Sequence, residues 1–303
     1  MTPAVALPLS GRAVIVTGST RGLGRAIARA AGDAGASVVI NGTNELAVDT
    51  AVTEIESRGG TALGVTGSVA DDGFCRRLVD ECVTSFGTVD ILINNAGIIR
   101  DRSFTKMSVT EFDDVLAVHL RGTFSCSSSA ARVMRSAGAG RILNIVSGSG
   151  LYGMFGQANY AAAKAGIIGM SRVMDIELFG KGISVNCLAP VADTDMTRGL
   201  AADSGVSHDL GFPAADDVAQ AAVHIVASDR EDLHGQCLSF DGETLAVWTH
   251  PHQIPLGRIP SGQGPSTSHD GSWTAGDFER ALGTAALEFP HPDRWGAGVS
   301  RAQ

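Results

Sequence analysis

Residues 17–24 read TGSTRGLG, directly after the apolar run AVIV (Ala13–Val16) and directly before the helix-like stretch RAIARAAGDAG. A short strand, a glycine-rich turn and a helix start, in that order, make an anion site. The first N–H groups of a helix have no partner within it, and the helix dipole favours negative charge there. Gly18 permits the tight turn, Gly22 lets the backbone approach a pyrophosphate, and Gly24 lets the helix pack against its strand. The spacing is G-x-x-x-G-x-G rather than G-x-G-x-x-G. Alone it would fit an ordinary turn; its position after a first strand gives it meaning.

Working outward, short β-branched runs alternate with stretches of helical length. The expected strands are Ala13 to Thr17, Ser37 to Asn41, Ala62 to Val65, Ile91 to Asn94, Arg141 to Val146, Ile183 to Leu188 and Cys237 to Phe240. Helical segments lie near 22–34, 45–58, 71–86, 110–136, 158–179 and 215–228. Strands without a polar face suit a sheet buried on both sides, with helices as right-handed crossovers. The fold class is therefore α/β: a Rossmann-type doubly wound parallel sheet with helices on both faces. Residues 1–249 form this domain. From about His250 six of the ten prolines and two of the three tryptophans gather among Gly, Ser and His. Residues 250–303 are expected to be an irregular arm, packed on the domain or partly disordered, with one helix-like piece capped by Thr274.

Composition narrows the function. The chain has 303 residues, 44% hydrophobic, with 32 acidic against 23 basic side chains and a net charge of -9. That balance argues against nucleic acid or a membrane surface as partner, since both demand basic patches. Five cysteines without a C-x-x-C pair suit reduced thiols, and the N-terminus, broken by Pro3 and Pro8, does not read as a signal peptide. A cytoplasmic protein is expected. His250, His252 and His291 lack metal-ligand spacing, so no metal is expected. Arg100, Asp101 and Arg102 read as a solvated charged turn.

The chemistry centres on Ser147, Tyr160 and Lys164. Tyr160 and Lys164 are four apart on a helical segment and share a face. A free phenol titrates near 10; a neighbouring ammonium would lower that and suit it to proton transfer with a carbonyl oxygen. Ser147 ends a strand where its hydroxyl could bond the same oxygen. The chain holds only two tyrosines, and SGSGLYGMFGQANYAAAK surrounds this pair with small residues.

Together these residues resemble the short-chain dehydrogenase/reductase family over about residues 10–245. TGSTRGLG is similar to the family's cofactor loop, NNAG (Asn94 to Gly97) to its strand-four motif, and Ser147, Tyr160-x-x-x-Lys164 to its catalytic set. The resemblance implies hydride transfer between a nicotinamide ring and a carbonyl or alcohol. Tyr160 would move the proton, Lys164 would hold the nicotinamide ribose and lower the tyrosine pKa, and Ser147 would orient the substrate oxygen. The cofactor would be lined by Gly18, Thr20, Arg21, Gly22, Leu23, Gly24, Asn41, Thr43, Ser68, Val69, Asn95, Ala96, Gly97, Pro190, Ala192 and Thr194. More narrowly, NNAGIIRDRSF, VHLRGTF, GLYGMFGQANYAAAKAG and APVADTDMT resemble the (3R)-hydroxyacyl-CoA dehydrogenase unit of peroxisomal multifunctional enzymes and bacterial relatives. Gly235 to Gly257 echoes that group's C-terminal extension. The implied substrate is a 3-oxo/3-hydroxyacyl thioester, bound to CoA or to a carrier. The alternatives are a ketoreductase of secondary metabolism acting on a free or carrier-bound ketone, and a non-catalytic cofactor-binding partner subunit.

Three positions depart from the family pattern. Where most members carry an Asn that completes a proton relay, this chain has His119, as in the multifunctional branch, and a catalytic role is assigned to it. Val191 replaces the usual Gly after Pro190, in a segment one residue short, and Ser68 stands where an Asp usually contacts adenine. The family also implies a homodimer or homotetramer joined through helix 158–179. For the cofactor, no carboxylate stands at Gly42, where NAD-specific relatives place one, and Arg21 resembles the arginine that clamps a 2′-phosphate. NADP(H) is expected over NAD(H).

Overall fold

The computed structural model describes residues 7–192 and 212–251. The chain divides into two units at Trp248/Thr249, and everything below concerns the first. Thr194, Thr274, His252, His291 and nearly all of the expected arm lie outside the described residues.

Strand β1 (Ala13–Val16) has four apolar residues, every one buried. Their side chains alternate: Ala13 and Ile15 join one core, Val14 and Val16 the other. This is how a strand loses its polar face, because both sides meet helices. The first layer comprises α1 (Gly22–Asp33), α2 (Glu45–Ser57) and α8 (Ala215–Ala227). Facing the other side are α3 (Asp72–Phe86), α5 (Gly122–Ala137) and α7 (Ala158–Leu178). The first layer packs Ile27, Val48, Ile55 and Ala222 on the sheet. The second packs Phe74, Leu78, Cys126 and Met134 against it.

The other strands are β2 (Ser37–Gly42), β3 (Thr61–Thr66), β4 (Ile91–Asn94), β5 (Gly140–Ile145), β6 (Ile183–Pro190), β7 (Cys237–Phe240) and β8 (Leu245–Trp248). Their order in the sheet is β3-β2-β1-β4-β5-β6-β7-β8. All neighbours run parallel except β7 and β8. The order reverses between β1 and β4, which opens the crevice in which doubly wound sheets bind ligands.

Three details differ from the expectation. β8 was not foreseen, because all four of its residues are exposed and give no alternating signal. β3 is not buried on both sides; as an edge strand it carries partly and fully exposed residues. The expected helix 110–136 is α4 (Val109–Leu116) and α5 joined by a π-helical turn, Ala117–Arg121. A π turn inserts a residue into the helical ladder and re-aims the side chains around it. Among the described residues no helix is long and apolar enough to cross a membrane.

Candidate active site

The glycine turn is built by mutual exclusion of side chains. Gly18 has φ +64, and a Cβ there would lie 2.7 Å from Ala96 Cα; a Cβ on Gly24 would lie 2.3 Å from Asn95 Nδ2. Asn95 Nδ2 donates to the carbonyls of Thr17 (3.0 Å) and Gly18 (3.1 Å). Thr17 Oγ1 accepts from the backbone N–H groups of Asn95 (3.0 Å) and Ala96 (3.1 Å). The two motifs separated in sequence are thus one hydrogen-bonded unit above β1 and β4. Helix α1 starts from Arg21 at its N-cap with no side-chain cap and no acidic residue in its first turn. Those unsatisfied N–H groups suit a phosphate.

Asn41 is buried and its amide makes three hydrogen bonds. It accepts from Gly18 N–H (3.2 Å) and donates to the carbonyls of Val65 (3.2 Å) and Gly67 (3.1 Å). Its side chain thus braces the glycine turn. Thr43 and Arg21 are exposed, and Arg21 has no ion-pair partner among the described residues. A Cβ at Gly42 would lie 2.5 Å from Thr20 Cγ2, so Thr20 occupies the space a side chain would need. Ser68 accepts from Ala70 N–H at 3.2 Å, closing a local turn. Val69 is buried over Gly122, Pro190 ends β6, and Ala192 is buried.

Just past the end of β5 the Ser147 hydroxyl lies near Tyr160, on the side that favours the ionised phenol. Lys164, 3% exposed, donates from Nζ to Ile145 O at 2.6 Å. Its Nζ stands 5.5 Å from the Tyr160 ring centroid. Burial pushes the Tyr160 phenol up to about 12, only partly opposed by the nearby Ser147 hydroxyl, with the Asp101 charge adding to the rise. This corrects the expectation that the ammonium lowers it. Lys164 is held on a carbonyl, and its own burial pulls it down to about 8. The phenol is protonated at neutral pH, the form that donates to a carbonyl oxygen.

His119, in the π turn, is 1% exposed. Its Nε2 lies 2.8 Å from Ile98 O and 3.0 Å from Ile98 N, and its ring meets Tyr160 edge-on at 5.1 Å. Burial, then the Lys164 charge, drives it down to about 3, so it is neutral in the working range. Nδ1 is buried without a hydrogen-bond partner among the described residues. A Cβ on Gly97 would lie 2.3 Å from His119 Cε1, so the last glycine of NNAG makes room for the imidazole. His119 thereby joins the NNAG segment to Tyr160.

Sequence reasoning missed the turn at 100–102. Asp101 is half-buried and accepts from Gln157 Nε2 at 2.9 Å, and Asn159 Nδ2 donates to Arg100 O at 2.9 Å. Arg102 pairs with Glu111 at 2.8 Å. Only Gln157 and Asn159, polar residues at the start of a helix that turns inward, could have signalled that the turn is docked rather than solvated.

The sequence matches the short chain dehydrogenase family over residues 12–205. It is 37% identical over 241 residues to the 3-oxoacyl-[acyl-carrier-protein] reductase FabG of Chlamydia muridarum, covering 77% of this chain and 97% of that protein. It is 42% identical over 203 residues to the peroxisomal hydratase-dehydrogenase-epimerase of Saccharomyces cerevisiae, covering 64% of this chain. The chain spans only 22% of that yeast protein's length. A short chain dehydrogenase from Mycobacterium avium superposes with a TM-score of 0.76 at 34% identity, covering 91% of this chain and 94% of that one. Both the broad and the narrow resemblance seen in the sequence are borne out. With its parallel sheet, glycine turn and Ser–Tyr–Lys cluster, the chain belongs to the short-chain dehydrogenase family, oxidoreductases that interconvert CH–OH and C=O groups with a nicotinamide cofactor.

Proposed function

We propose that this chain transfers hydride between NADP(H) and carbon 3 of a 3-oxo/3-hydroxyacyl thioester. The observation that carries this reading is the convergence of Ser147, Tyr160 and buried Lys164 just past the end of β5, with Lys164 Nζ 5.5 Å from the Tyr160 ring centroid. Gly18 and Gly22, both at positive φ where a side chain is strained, and the uncapped start of α1 suit the pyrophosphate. When bound, the nicotinamide supplies or accepts the hydride. The protein's part is acid–base and orienting. Ser147 bonds the substrate oxygen, Tyr160 exchanges the proton with it, and Lys164 anchors the ribose. His119, neutral and wedged against Tyr160, fixes the ring from behind. Val191 and Ala192 border the nicotinamide side, and Thr194 belongs to the same segment.

The acyl-thioester assignment draws on the relatives named for 3-oxoacyl-[acyl-carrier-protein] reduction and peroxisomal dehydrogenation. Tyr160→Phe removes only the phenolic oxygen; the rate with a 3-oxoacyl-CoA should fall at least about 10²-fold while cofactor binding persists. Wild-type turnover by that variant would end the assignment. A parallel screen with carrier-bound substrate and cyclic ketones sets the substrate class.

For the cofactor, Arg21, unpaired among the described residues, and the absence of a carboxylate at Gly42 favour a 2′-phosphate. Glu45, the first residue of α2, is exposed and belongs to that helix's first turn. Wild-type kcat/KM should favour NADPH over NADH, and Arg21→Ala should remove most of that preference. A preference for NADH, or one for NADPH that survives the substitution, refutes the assignment.

A further inference from the structure

Behind Ser147 runs a line of polar side chains that the proposed chemistry does not use. Gln157, 1% exposed, donates from Nε2 to Asp101 Oδ2 at 2.9 Å. Its Oε1 accepts from the hydroxyl of Ser149, itself 4% exposed, at 2.9 Å. The Ser149 backbone N–H in turn donates to Ser147 Oγ at 3.2 Å. Ser147 in turn stands near Tyr160. The Asp101 carboxylate sets the direction of the two side-chain bonds, while the Ser149 backbone N–H donates in any case. A carboxylate only accepts, so Gln157 must present its NH₂ to Asp101 and its carbonyl to Ser149. Ser147 Oγ accepts from Ser149 N–H, which leaves its own hydrogen to be donated.

We infer that Asp101 and Gln157 hold Ser149 as a positioning chain, so that its backbone N–H occupies one lone pair of Ser147 and leaves the Ser147 hydrogen for Tyr160 or the substrate oxygen. This rests on the Ser147–Tyr160 reading above. None of the three residues touches the reacting atoms; they act through Ser147. Around this chain lie Arg100 and Arg102 on the same turn, Glu111 on α4, His119 on the π turn, Tyr152 on the short helix α6 (Ser149–Tyr152), and Tyr160 and Lys164 on α7. A buried polar line can also exist merely to satisfy its own members, so the test must separate orientation from packing.

Gln157→Glu does so. While protonated, the new side chain keeps the donor to Asp101 and the acceptor for Ser149. Once ionised it faces Asp101 with a second carboxylate and donates nothing. Two touching carboxylates share a proton, so the new group titrates above the ordinary carboxylate value of about 4.3. Its kcat should approach wild type at about pH 5.5 and fall at least about ten-fold by about pH 8, with KM for the cofactor unchanged. Wild type should lack that limb. In the double variant Asp101→Asn/Gln157→Glu the donor is reversed: the amide donates to the carboxylate, which still accepts from Ser149. Neutral-pH kcat should return to within about three-fold of wild type. Three results overturn the inference: wild-type kcat of Gln157→Glu across the whole range, a double variant no better than the single one, or a rate loss that only follows a lower melting temperature. Tyr160→Phe measured alongside separates the two levels. If it keeps its rate, the underlying reading fails; if it loses its rate while Gln157→Glu does not, only the chain fails.

Discussion

Lys164 shows how the site sets function against stability at one residue. An ammonium that is 3% exposed and bonded to one carbonyl has lost most of its hydration. Its pKa falls from the ordinary 10.5 to about 8. The unfolded chain holds that proton more tightly, so between about pH 8 and 10.5 stability rises with pH, and below pH 8 the full cost of the buried charge is present. Lys164→Met should therefore be inactive yet more stable at pH 7, by about 1–2 kcal/mol after the lost bond to Ile145 is set against the relieved charge. The gap should narrow by pH 9.5. Thermal unfolding at the two pH values checks both the sign and the trend, and a variant less stable at pH 7 contradicts it. Tyr160 and Lys164 were readable as a pair because four-residue spacing on a helix is a local property. The direction of the tyrosine shift was not. It depends on how much water the fold removes, and on Ile145 O, a backbone atom with no signature in the sequence.

Among the elements, α7 carries two jobs. Ala163, Lys164, Ile167, Ile168 and Ser171 face inward and are buried. Ala162, Ala165, Gly169, Val173 and Ile176 form an exposed stripe at helical spacing, with Ile176 81% exposed. On α5, Phe124 is 57% exposed. Apolar surface of this kind marks an interface, and small residues let helices approach closely. We propose that a second copy of this chain covers it, as the family resemblance led us to expect, in a homodimer or homotetramer. Ile176→Glu should shift the protein to a smaller species in sedimentation; an unchanged assembly would place the interface elsewhere. Elements differed in how well the sequence announced them. β4 and β7 matched the expectation at both ends, since a short, mostly apolar run bounded by turn residues has few other uses. The π turn left no trace, because its hydrogen-bond offset changes neither composition nor apolar spacing by more than one residue. β8, LAVW at the sheet edge, lacks the polar alternation by which a strand is recognised. Asp101 and Gln157 are 56 residues apart, and only the completed crevice brings them together.

At the scale of the whole molecule, the distribution of sulfur turns the protein into a reporter of its own unfolding. All five thiols are free and buried. They sit on both outer and central elements: Cys75 and Cys82 on α3, Cys126 on α5, Cys187 on β6 and Cys237 on β7. A thiol reagent can reach none of them without an opening of the chain, so labelling rates count openings rather than collisions. Cys237, 6% exposed and covered on its edge by the exposed strand β8, needs only that strand to peel away. Cys75, Cys82 and Cys126, each 0% exposed, need α3 or α5 to leave the sheet. Mass spectrometry of a labelling time course should find Cys237 modified first and those three last, together. Simultaneous labelling of all five would mean that the molecule opens in a single step, with no part of it looser than the rest.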